Sequence, residues 1–204
     1  MTFTTFLRPV ALAAIALTLA ACGGKATFTI GGTVTSLSYP GLVLTTNGMD
    51  LSVPAGATSF SFPNTVSYGD VYNVTQKTPP LHQSCTTVSP LTGVDTASGT
   101  AGRTASIAIV VTCLLNTYSI GGAVSGLAAD GLVLTNGSSG TIAVASGVTA
   151  YAFTDNVPYN TSYGITVLTQ PTNQVCTVSN PAGVMGDAAV TNINVTCVTK
   201  PAST

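Results

Sequence analysis

This sequence carries two copies of one motif, ninety residues apart. Residues 30–45 read IGGTVTSLSYPGLVLT and residues 120–135 read IGGAVSGLAADGLVLT, so 10 of 16 aligned positions are identical. Self-similarity at a fixed spacing is typical of chains built from repeated structural units. We therefore expect two similar domains, the first at residues 28–113 and the second at residues 118–198.

The composition narrows the class of protein. Charged residues make up 5% of the chain, Trp and Glu are absent, and the formal net charge is −1. A surface that binds nucleic acid needs basic residues to neutralise phosphates, so no nucleic-acid partner is expected. Polarity that comes from Ser, Thr and Asn, together with many Val residues, favours strands over helices.

The first residues have the properties of a secretion signal. Arg8 provides a positive charge, and residues 10–19 form an apolar run that is too short to span a bilayer. The run ends in Leu19-Ala20-Ala21-Cys22, which places small residues before the position at which a signal peptidase cuts. The alternative interpretation is an ordinary secretory signal in which Cys22 has no role.

The tetrapeptide that ends at Cys22 resembles the lipobox of bacterial lipoproteins, with Leu three positions before the Cys and two small residues between them. The resemblance implies a signal peptide at 1–21 and a mature protein that begins at Cys22. It also implies that Cys22 carries a thioether-linked diacylglycerol and an N-acyl chain such as palmitate. Several acyl chains give stable anchoring, whereas a single chain is marginal.

Two features near Cys22 bear on location. Gly23 follows the cysteine, in place of the Asp associated with inner-membrane retention. The resemblance therefore implies the cell outer membrane if the cell has two membranes. Residues 22–27 form a short lipidated linker, and the five residues after Cys22 reach at most about 17 Å at ~3.3 Å per residue. We expect the first domain to lie close to the membrane.

Both repeats show the alternation of apolar and polar residues that indicates half-buried strands. Asn47-Gly48 favours a tight hairpin turn, and residues after the leader show no helical period. Seven short strands separated by turn residues predict an all-β fold, with one β-sandwich in each repeat. The predicted strands lie at 28–34, 42–44, 51–53, 58–62, 72–76, 85–88 and 107–113, and at 118–124, 132–134, 142–144, 151–153, 163–167, 176–178 and 193–197.

The order of these motifs resembles the Ig-like sandwiches of the transthyretin-like and collagen-adhesin B-type groups. The resemblance rests on Gly-Gly-x-Val, a Leu-Val-Leu strand, an aromatic pair two positions apart and a Tyr-x-Val or Tyr-x-Ile strand. Pro-x-x-Gln-x-Cys-x-Val at 171–178 and Asn-x-Asn-Val-x-Cys at 192–197 are similar to cysteine-bearing repeats of bacterial extracytoplasmic lipoproteins. These resemblances imply two tandem seven-stranded sandwiches on the cell envelope and imply no ligand.

Four cysteines remain after Cys22, and four cysteines allow three pairings. Cys85 aligns with Cys176, and Cys113 aligns with Cys197. We predict the disulfides Cys85–Cys113 and Cys176–Cys197, because this pairing closes both repeats in the same way. Each would stabilise its repeat by ~3–4 kcal/mol in the chain-entropy model. Metal binding is the alternative, but the repeats lack a Cys-x-x-Cys motif and a second histidine, so no metal or other cofactor is expected.

No catalytic site is predicted. His82 is the sole histidine, Asn173 takes its place in the second repeat, and no Gly-x-Ser-x-Gly motif accompanies it, so we expect a surface-loop residue. Glycosidases and aspartic proteases need two carboxylates at one site. The acids here do not align between the repeats and form no calcium-binding loop, so they are expected to be solvated turn residues: Asp50, Asp70, Asp95, Asp130, Asp155 and Asp187.

Aromatic residues occupy matching positions in the two repeats. Stacked rings could recognise sugars, but matching in both repeats is expected of core residues. We therefore predict core packing for all of them and keep carbohydrate binding as the alternative. The matched pairs are Tyr68 with Tyr159, Tyr72 with Tyr163, Phe60 with Tyr151 and Phe62 with Phe153.

Residues 114–117 form the predicted linker, and residues 199–204 form a C-terminal tail. Two adjacent Leu side chains would cost very roughly 1.5–3 kcal/mol each if they were fully exposed rather than buried. We therefore predict that Leu114 or Leu115 packs between the domains and holds them in an extended arrangement. The alternative is that both complete the first core and leave the hinge loose.

Together these features predict a lipid-anchored cell-envelope protein with a structural or binding role and no catalysis. Its partners would be the membrane, through the lipid on Cys22, and an envelope protein or polysaccharide. The alternative is a subunit of a larger assembly joined by strand addition, with the charge-poor run at 105–111 as the exposed edge. A carbohydrate-binding protein or a hydrolase is less favoured, since each needs a cleft with converging polar groups.

Overall fold

The computed structural model describes residues 25–89 and 92–201. The predicted signal peptide at 1–21 and the predicted lipidation site Cys22 lie outside the described residues. All the regular secondary structure in the described residues consists of strands. The prediction of an all-β fold is confirmed.

The first repeat forms nine strands within the described residues, several of them only three or four residues long. Its first, fourth and last strands have nine residues each and form most of one sheet. The strands are β1 Thr27–Thr35, β2 Val43–Thr46, β3 Met49–Ser52, β4 Ser59–Ser67, β5 Val71–Asn73, β6 Thr75–Thr78, β7 Gln83–Thr86, β8 Ser98–Thr100 and β9 Ile107–Leu115.

The second repeat follows the same order, with its first and fourth strands each divided into two and a single strand in place of β5 and β6. The strands are β10 Thr117–Tyr118, β11 Gly121–Ser125, β12 Leu132–Asn136, β13 Thr141–Val144, β14 Ala150–Ala152, β15 Val157–Pro158, β16 Ser162–Thr169, β17 Gln174–Val178, β18 Ala182–Val184 and β19 Val195–Thr199.

Corresponding sheets form in the two repeats. The first repeat has a sheet in the order β4-β1-β9-β7, and the second has one in the order β14-β11-β19-β17. The opposing strands are β3-β2-β6 with β5-β8 in the first repeat and β13-β12-β16-β18 in the second. In each main sheet the first and last long strands run parallel, β1 beside β9 and β11 beside β19. Parallel neighbours need a long crossover, which the intervening strands supply.

Each repeat has its own cluster of buried apolar side chains. One cluster draws its residues from positions 30–113 and the other from positions 120–197. Ile30 and Leu42 are fully buried in the first, as Ile120 and Leu132 are in the second. Five of the ten residues shared by the two copies of the motif are therefore core residues in both repeats.

The Gly-Gly pair of each repeat is required by close packing. An ideal Cβ at Gly32 would overlap the carbonyl oxygen of Ile109, and one at Gly122 would overlap that of Ile193. Both carbonyls belong to the last long segment of the same repeat. Glycine occurs at such positions because a neighbouring backbone approaches too closely for a side chain.

The disulfides pair as the repeat alignment predicts. Cys85 is bonded to Cys113 and Cys176 to Cys197, with sequence separations of 28 and 21 residues. Each bond joins directly opposite residues of two antiparallel strands, β7 with β9 and β17 with β19. The last strand of each repeat is therefore covalently held to an edge strand.

A buried glutamine lies two residues before the first cysteine of each repeat. The Gln83 side-chain oxygen accepts hydrogen bonds from the backbone N–H groups of Ser38 and Tyr39, at 2.8 and 3.0 Å. Gln174 makes the same two bonds to Ala128 and Ala129, each at 2.9 Å. These residues are only 3% and 9% exposed, and such bonds satisfy amide groups that would be costly to bury unpaired. The glutamine fixes the loop that follows the first long strand.

Two expectations about strands are wrong. The run at 105–111 is not an exposed edge, because β9 lies between β1 and β7 in the middle of the sheet. Its low charge reflects burial on the core face and pairing on both sides. The predicted strand at 72–76 is two strands, since the chain changes partner at Val74: β5 pairs with β8 and β6 pairs with β2.

Candidate functional site at the junction of the repeats

A single residue, Asn116, belongs to the hydrogen-bond pattern of both repeats. Its backbone N–H donates to the carbonyl oxygen of His82 at 2.9 Å, and Lys200 donates to Asn173 in the same way at the end of the second repeat. The carbonyl oxygen of Asn116 accepts from the N–H of Tyr159 at 2.8 Å. No residue therefore separates the backbone hydrogen bond that ends the first repeat from the one that begins the second.

Three aromatic rings meet beside this connection. The imidazole of His82 stacks on the phenol ring of Tyr159, with centroids 3.8 Å apart and planes 2° from parallel. The ring of Tyr39 stands edge-on to both, with centroid distances of 5.0 Å to His82 and 5.6 Å to Tyr159. Stacked and edge-to-face pairs at these distances contribute about 0.5–1.5 kcal/mol beyond the area they bury.

An acid of the second repeat completes the cluster. The carboxylate of Asp187 lies 2.8 Å from Nδ1 of His82, and the His82 side chain is 22% exposed while that of Asp187 is 51% exposed. Burial at the junction raises the pKa of the Tyr159 hydroxyl, and the negative charges of Asp187 and of ionised Tyr39 raise it further. We call Tyr39, His82, Tyr159 and Asp187 the junction cluster.

The local backbone explains how His82 reaches this position. His82 has φ 58° and Asn173, at the same place in the second repeat, has φ 57°. Residues with positive φ in such turns are uncommon except for Gly, Asn, Asp and His. The next residue, Gln83, holds the loop that carries Tyr39. Both rings on the first-repeat side of the cluster therefore depend on one buried amide.

The junction cluster consists largely of residues at which the repeats differ. Ala129 occupies the position of Tyr39, and Asn173 occupies that of His82. Asp187 corresponds to Arg103, because Met185 and Ala101 make the same backbone bonds just before them. The unmatched aromatic Tyr39 and the unmatched acid Asp187 were sequence signals for this site, but sequence reasoning assigned neither to it.

The structure corrects two sequence predictions at the junction. His82 is not an isolated surface-loop residue, since its ring is held by Tyr159, Tyr39 and Asp187. Leu114 and Leu115 are 66% and 36% exposed and belong to neither core cluster. The aromatic cluster, rather than a buried leucine, provides the packed contact between the repeats.

The matched aromatic residues divide into two groups. Phe60, Phe62, Tyr151 and Phe153 are buried, and Tyr72 and Tyr163 pack against the two clusters, as predicted. Tyr68 and Tyr159 were expected in the core and are not there. Tyr68 is 59% exposed, whereas Tyr159 takes part in the junction cluster. One aromatic position in each repeat therefore lies at a surface of the unit.

Two other acids are held in local contacts, each within one repeat. Asp50 pairs with Lys77, whose hydrogen bond lowers the pKa of the Asp50 carboxyl. Hydrogen bonds from Ser146 lower the pKa of the Asp130 carboxyl. Within residues 25–89 and 92–201, no three His, Cys, Asp or Glu side chains are grouped so that they could hold a metal ion.

Two surface grooves carry no ionisable side chain. One, of about 500 Å³, lies beside residues 33–38 and 56–58 of the first repeat. The other, of about 460 Å³, lies under Leu114 and Leu115 and reaches Pro158 of the second repeat. Hydroxyl and apolar groups line both, and the second also contains the amide of Gln83, so neither offers a general acid or base. None of the described residues form a helix that could serve as a membrane span.

No protein-family model and no curated protein matches this sequence. Among solved structures, the chain is similar to the Bacillus anthracis TIE protein, with 11% identity and a TM-score of 0.47 over 85% of this chain. The chain spans about a third, 34%, of that protein. It is also similar to the shaft pilin SpaA from Lactobacillus rhamnosus GG, with 10% identity and a TM-score of 0.28 over 88% of this chain and 99% of the pilin.

A Streptococcal ancillary pilin shows 14% identity and a TM-score of 0.25, with 86% of this chain and 63% of that chain covered. All three TM-scores are below 0.5. The function of this chain is therefore inferred from its own residues and geometry.

Proposed function

We propose that this protein is a lipid-anchored spacer of the bacterial cell envelope, attached through acyl chains on Cys22 and without catalytic activity. In a cell with two membranes, the anchor would lie in the outer one. The two repeats would act as separately folded domains, at 28–113 and 118–198, that carry a surface away from the membrane. Leu19-Ala20-Ala21-Cys22 supports the anchor, and the strand topology supports the spacer.

The observation that carries the spacer role is the parallel pairing of the first and last strands of each repeat. Ile30 lies opposite Ile107, and five further pairs follow in the same direction to Thr35 opposite Thr112. Parallel strands begin at the same end of a sheet, so the chain enters a repeat at one end and leaves it at the other. Units with this topology add in line, each extending the chain by about 30 Å for nine residues at ~3.3 Å per residue.

The junction supports a fixed arrangement of the two units. A spacer is effective when its units do not fold back on each other. Asn116 is shared by both repeats, and the ring stack of His82 on Tyr159 resists rotation about the connection. Gly and Pro are absent from 114–117, unlike in a flexible linker.

The alternative is a subunit of a larger assembly joined by strand addition. It needs a free sheet edge, and the long edge strand of the first repeat, β4, contains Pro63, which has no N–H to donate. The corresponding edge strand β14 has only three residues. These features disfavour strand addition at two sheet edges, and they favour the spacer over the assembly subunit.

Two measurements test the proposal. For the anchor, Cys22→Ser should abolish acylation and leave an uncleaved precursor, as seen by mass spectrometry of the N-terminal peptide. Normal cleavage and unchanged membrane partition of Cys22→Ser would refute it. For the spacer, small-angle scattering of the soluble mature form should give one narrow distribution with a maximum dimension of about 60 Å or more. A broad distribution of distances would refute that part.

A further inference from the structure

The two repeats receive the incoming chain in the same way. Ala26 accepts a hydrogen bond from the N–H of Tyr68 at 2.7 Å, as Asn116 accepts one from the N–H of Tyr159 at 2.8 Å. Tyr68 and Tyr159 are matched positions, and both stand at the end of the unit where its chain begins. In the second repeat this end is docked on the first repeat.

The same end of the first repeat presents a set of exposed residues. Tyr68 is 59% exposed and Val71 is 69% exposed, and both flank the turn at which Asp70 accepts from the N–H of Ser67. Arg103 is exposed on the neighbouring loop, which is bonded to the turn through Gly69 and Ala101. Lys25 precedes Ala26 and is exposed as well. We call Lys25, Tyr68, Val71 and Arg103 the leading face.

Comparison with the second repeat indicates that the leading face lacks the contact its counterpart makes. Tyr159 stacks on His82, whereas the ring of Tyr68 lies across Gly102 of its own repeat and leaves its other side exposed. A single exposed apolar residue is ordinary on a protein surface. Here, however, the exposed residue occupies a position that forms the principal contact in the other copy of the unit.

The charge of the leading face indicates the kind of partner. Asp187 in the second repeat faces His82, while the corresponding residue in the first repeat is Arg103. Arg103 and Lys25 supply two positive charges, and Asp70 supplies one negative charge that is used to hold the turn. Asp50 of the same repeat is paired with Lys77. The face therefore favours an anionic surface.

The sequence places the proposed anchor next to this face. Cys22 lies four residues before Ala26, so its Cα is at most about 13 Å from that of Ala26 at ~3.3 Å per residue. We propose that the leading face binds the headgroup region of an anionic lipid bilayer. The inference rests on the proposed anchoring at Cys22, and it adds a direct protein contact that would set the tilt of the spacer on the membrane.

The residue types fit that surface. Tyr is enriched at membrane–water interfaces, where its ring lies at the level of the headgroups while its hydroxyl stays in water. Arg and Lys near an anionic leaflet each strengthen binding, by about fivefold per residue at moderate salt. The anchor raises the local concentration of the face at the bilayer, so a weak contact suffices.

The test uses residues 23–204, tethered by an N-terminal His tag to vesicles that contain nickel lipid in place of the acyl anchor. Because the protein contains no Trp, Tyr68→Trp introduces a single indole. With phosphatidylcholine and phosphatidylglycerol vesicles carrying bromine high on the acyl chains, part of its fluorescence should be lost to quenching, because an indole at the headgroup level lies near the bromine. Val198→Trp is the matched control, since Val198 is also 59% exposed but lies in the last strand of the second repeat. Its fluorescence should not change.

A second measurement tests how much the positive charge of Arg103 contributes to membrane binding. Partition of the untethered protein onto the anionic vesicles should fall about fivefold in Arg103→Ser and remain unchanged in Lys200→Ser. Equal quenching of both indoles, or no quenching of either, would overturn the proposal. A blue shift of the Tyr68→Trp indole that grows with protein concentration and needs no vesicles would also overturn it, because a second copy would then cover the face.

The test of the leading face can succeed or fail independently of the test of the anchor at Cys22. The tethered protein does not need acylation, so quenching at position 68 together with an unacylated Cys22 would retain the leading face and reject the anchor. Acylated Cys22 together with an unquenched indole at position 68 would retain the anchor and reject the leading face.

Discussion

The imidazole ring of His82 lies flat against the phenol ring of Tyr159, with centroids 3.8 Å apart. The two residues belong to different repeats and are 77 positions apart in the chain. Tyr159 is matched by Tyr68 in the first repeat, whereas His82 is replaced by Asn173 in the second. The contact therefore uses one residue that both units share and one that distinguishes them, which makes the junction specific to this order of the repeats.

The first prediction concerns this stack. His82→Asn keeps a residue that tolerates positive φ but removes the ring, so the units should lose about 1 kcal/mol of coupling. Small-angle scattering should show a broader distribution of interdomain distances. The reciprocal change Asn173→His places a ring where the described residues provide no aromatic partner, and it should leave the distribution unaltered. An unchanged distribution in His82→Asn would mean that Asn116 alone fixes the arrangement.

The second prediction concerns the Gly-Gly motif. Gly122→Ala places a Cβ on the carbonyl oxygen of Ile193, so the backbones must separate, at a cost of about 3 kcal/mol. Gly164→Ala is the control, because nothing lies within 4 Å of its ideal Cβ. It should change the free energy of unfolding by no more than about 0.5 kcal/mol. Urea denaturation measures both, and equal effects would contradict the packing explanation.

The third prediction concerns the disulfides. Replacing both Cys85 and Cys113 by Ala should destabilise the first repeat by about 3–4 kcal/mol, and replacing Cys176 and Cys197 should do the same to the second. The longer separation, 28 against 21 residues, favours a slightly larger effect in the first repeat. Calorimetry should show that each pair of substitutions lowers mainly one transition. Equal lowering of a single transition would mean that the repeats unfold together.

The fourth prediction concerns Tyr151. Burial raises the pKa of its hydroxyl to about 12, and the hydroxyl donates to the carbonyl oxygen of Ile193 at 2.9 Å. Since the raised pKa belongs to the folded state, its contribution to stability is complete below about pH 10, the usual tyrosine value, and is lost as the pH rises towards 12. The pKa of Tyr159 is also raised, so a spectrophotometric titration should show for Tyr151 a distinct late component at about pH 12.

Tyr151→Phe should remove that late component and cost about 1 kcal/mol at neutral pH. The first repeat supplies a natural comparison, because Phe60 occupies the same position. If the component at about pH 12 persists in Tyr151→Phe, another hydroxyl is responsible and the assignment fails.

The sequence by itself determined the repeat, the all-β class and the disulfide pairing. Alternation at Ile30, Gly32 and Val34 marks a strand because side chains alternate between its faces, and that property is local. The pairing of Cys85 with Cys113 followed from their alignment with Cys176 and Cys197. Because the two copies are expected to close in the same way, their alignment selects one disulfide pairing, which a single copy could not select without a structure.

The tertiary structure alone decided which strand lies at an edge and what joins the repeats. The run at 105–111 looks like an exposed edge because it has few charges, but pairing with β1 and β7 depends on residues far away in the chain. Leu114 and Leu115 look like an interface because they are apolar, yet their exposure is set by the direction in which β9 ends. The junction cluster forms because loops of both repeats converge at the connection between them. Such a meeting depends on packing and chain direction, which no local period in the sequence records.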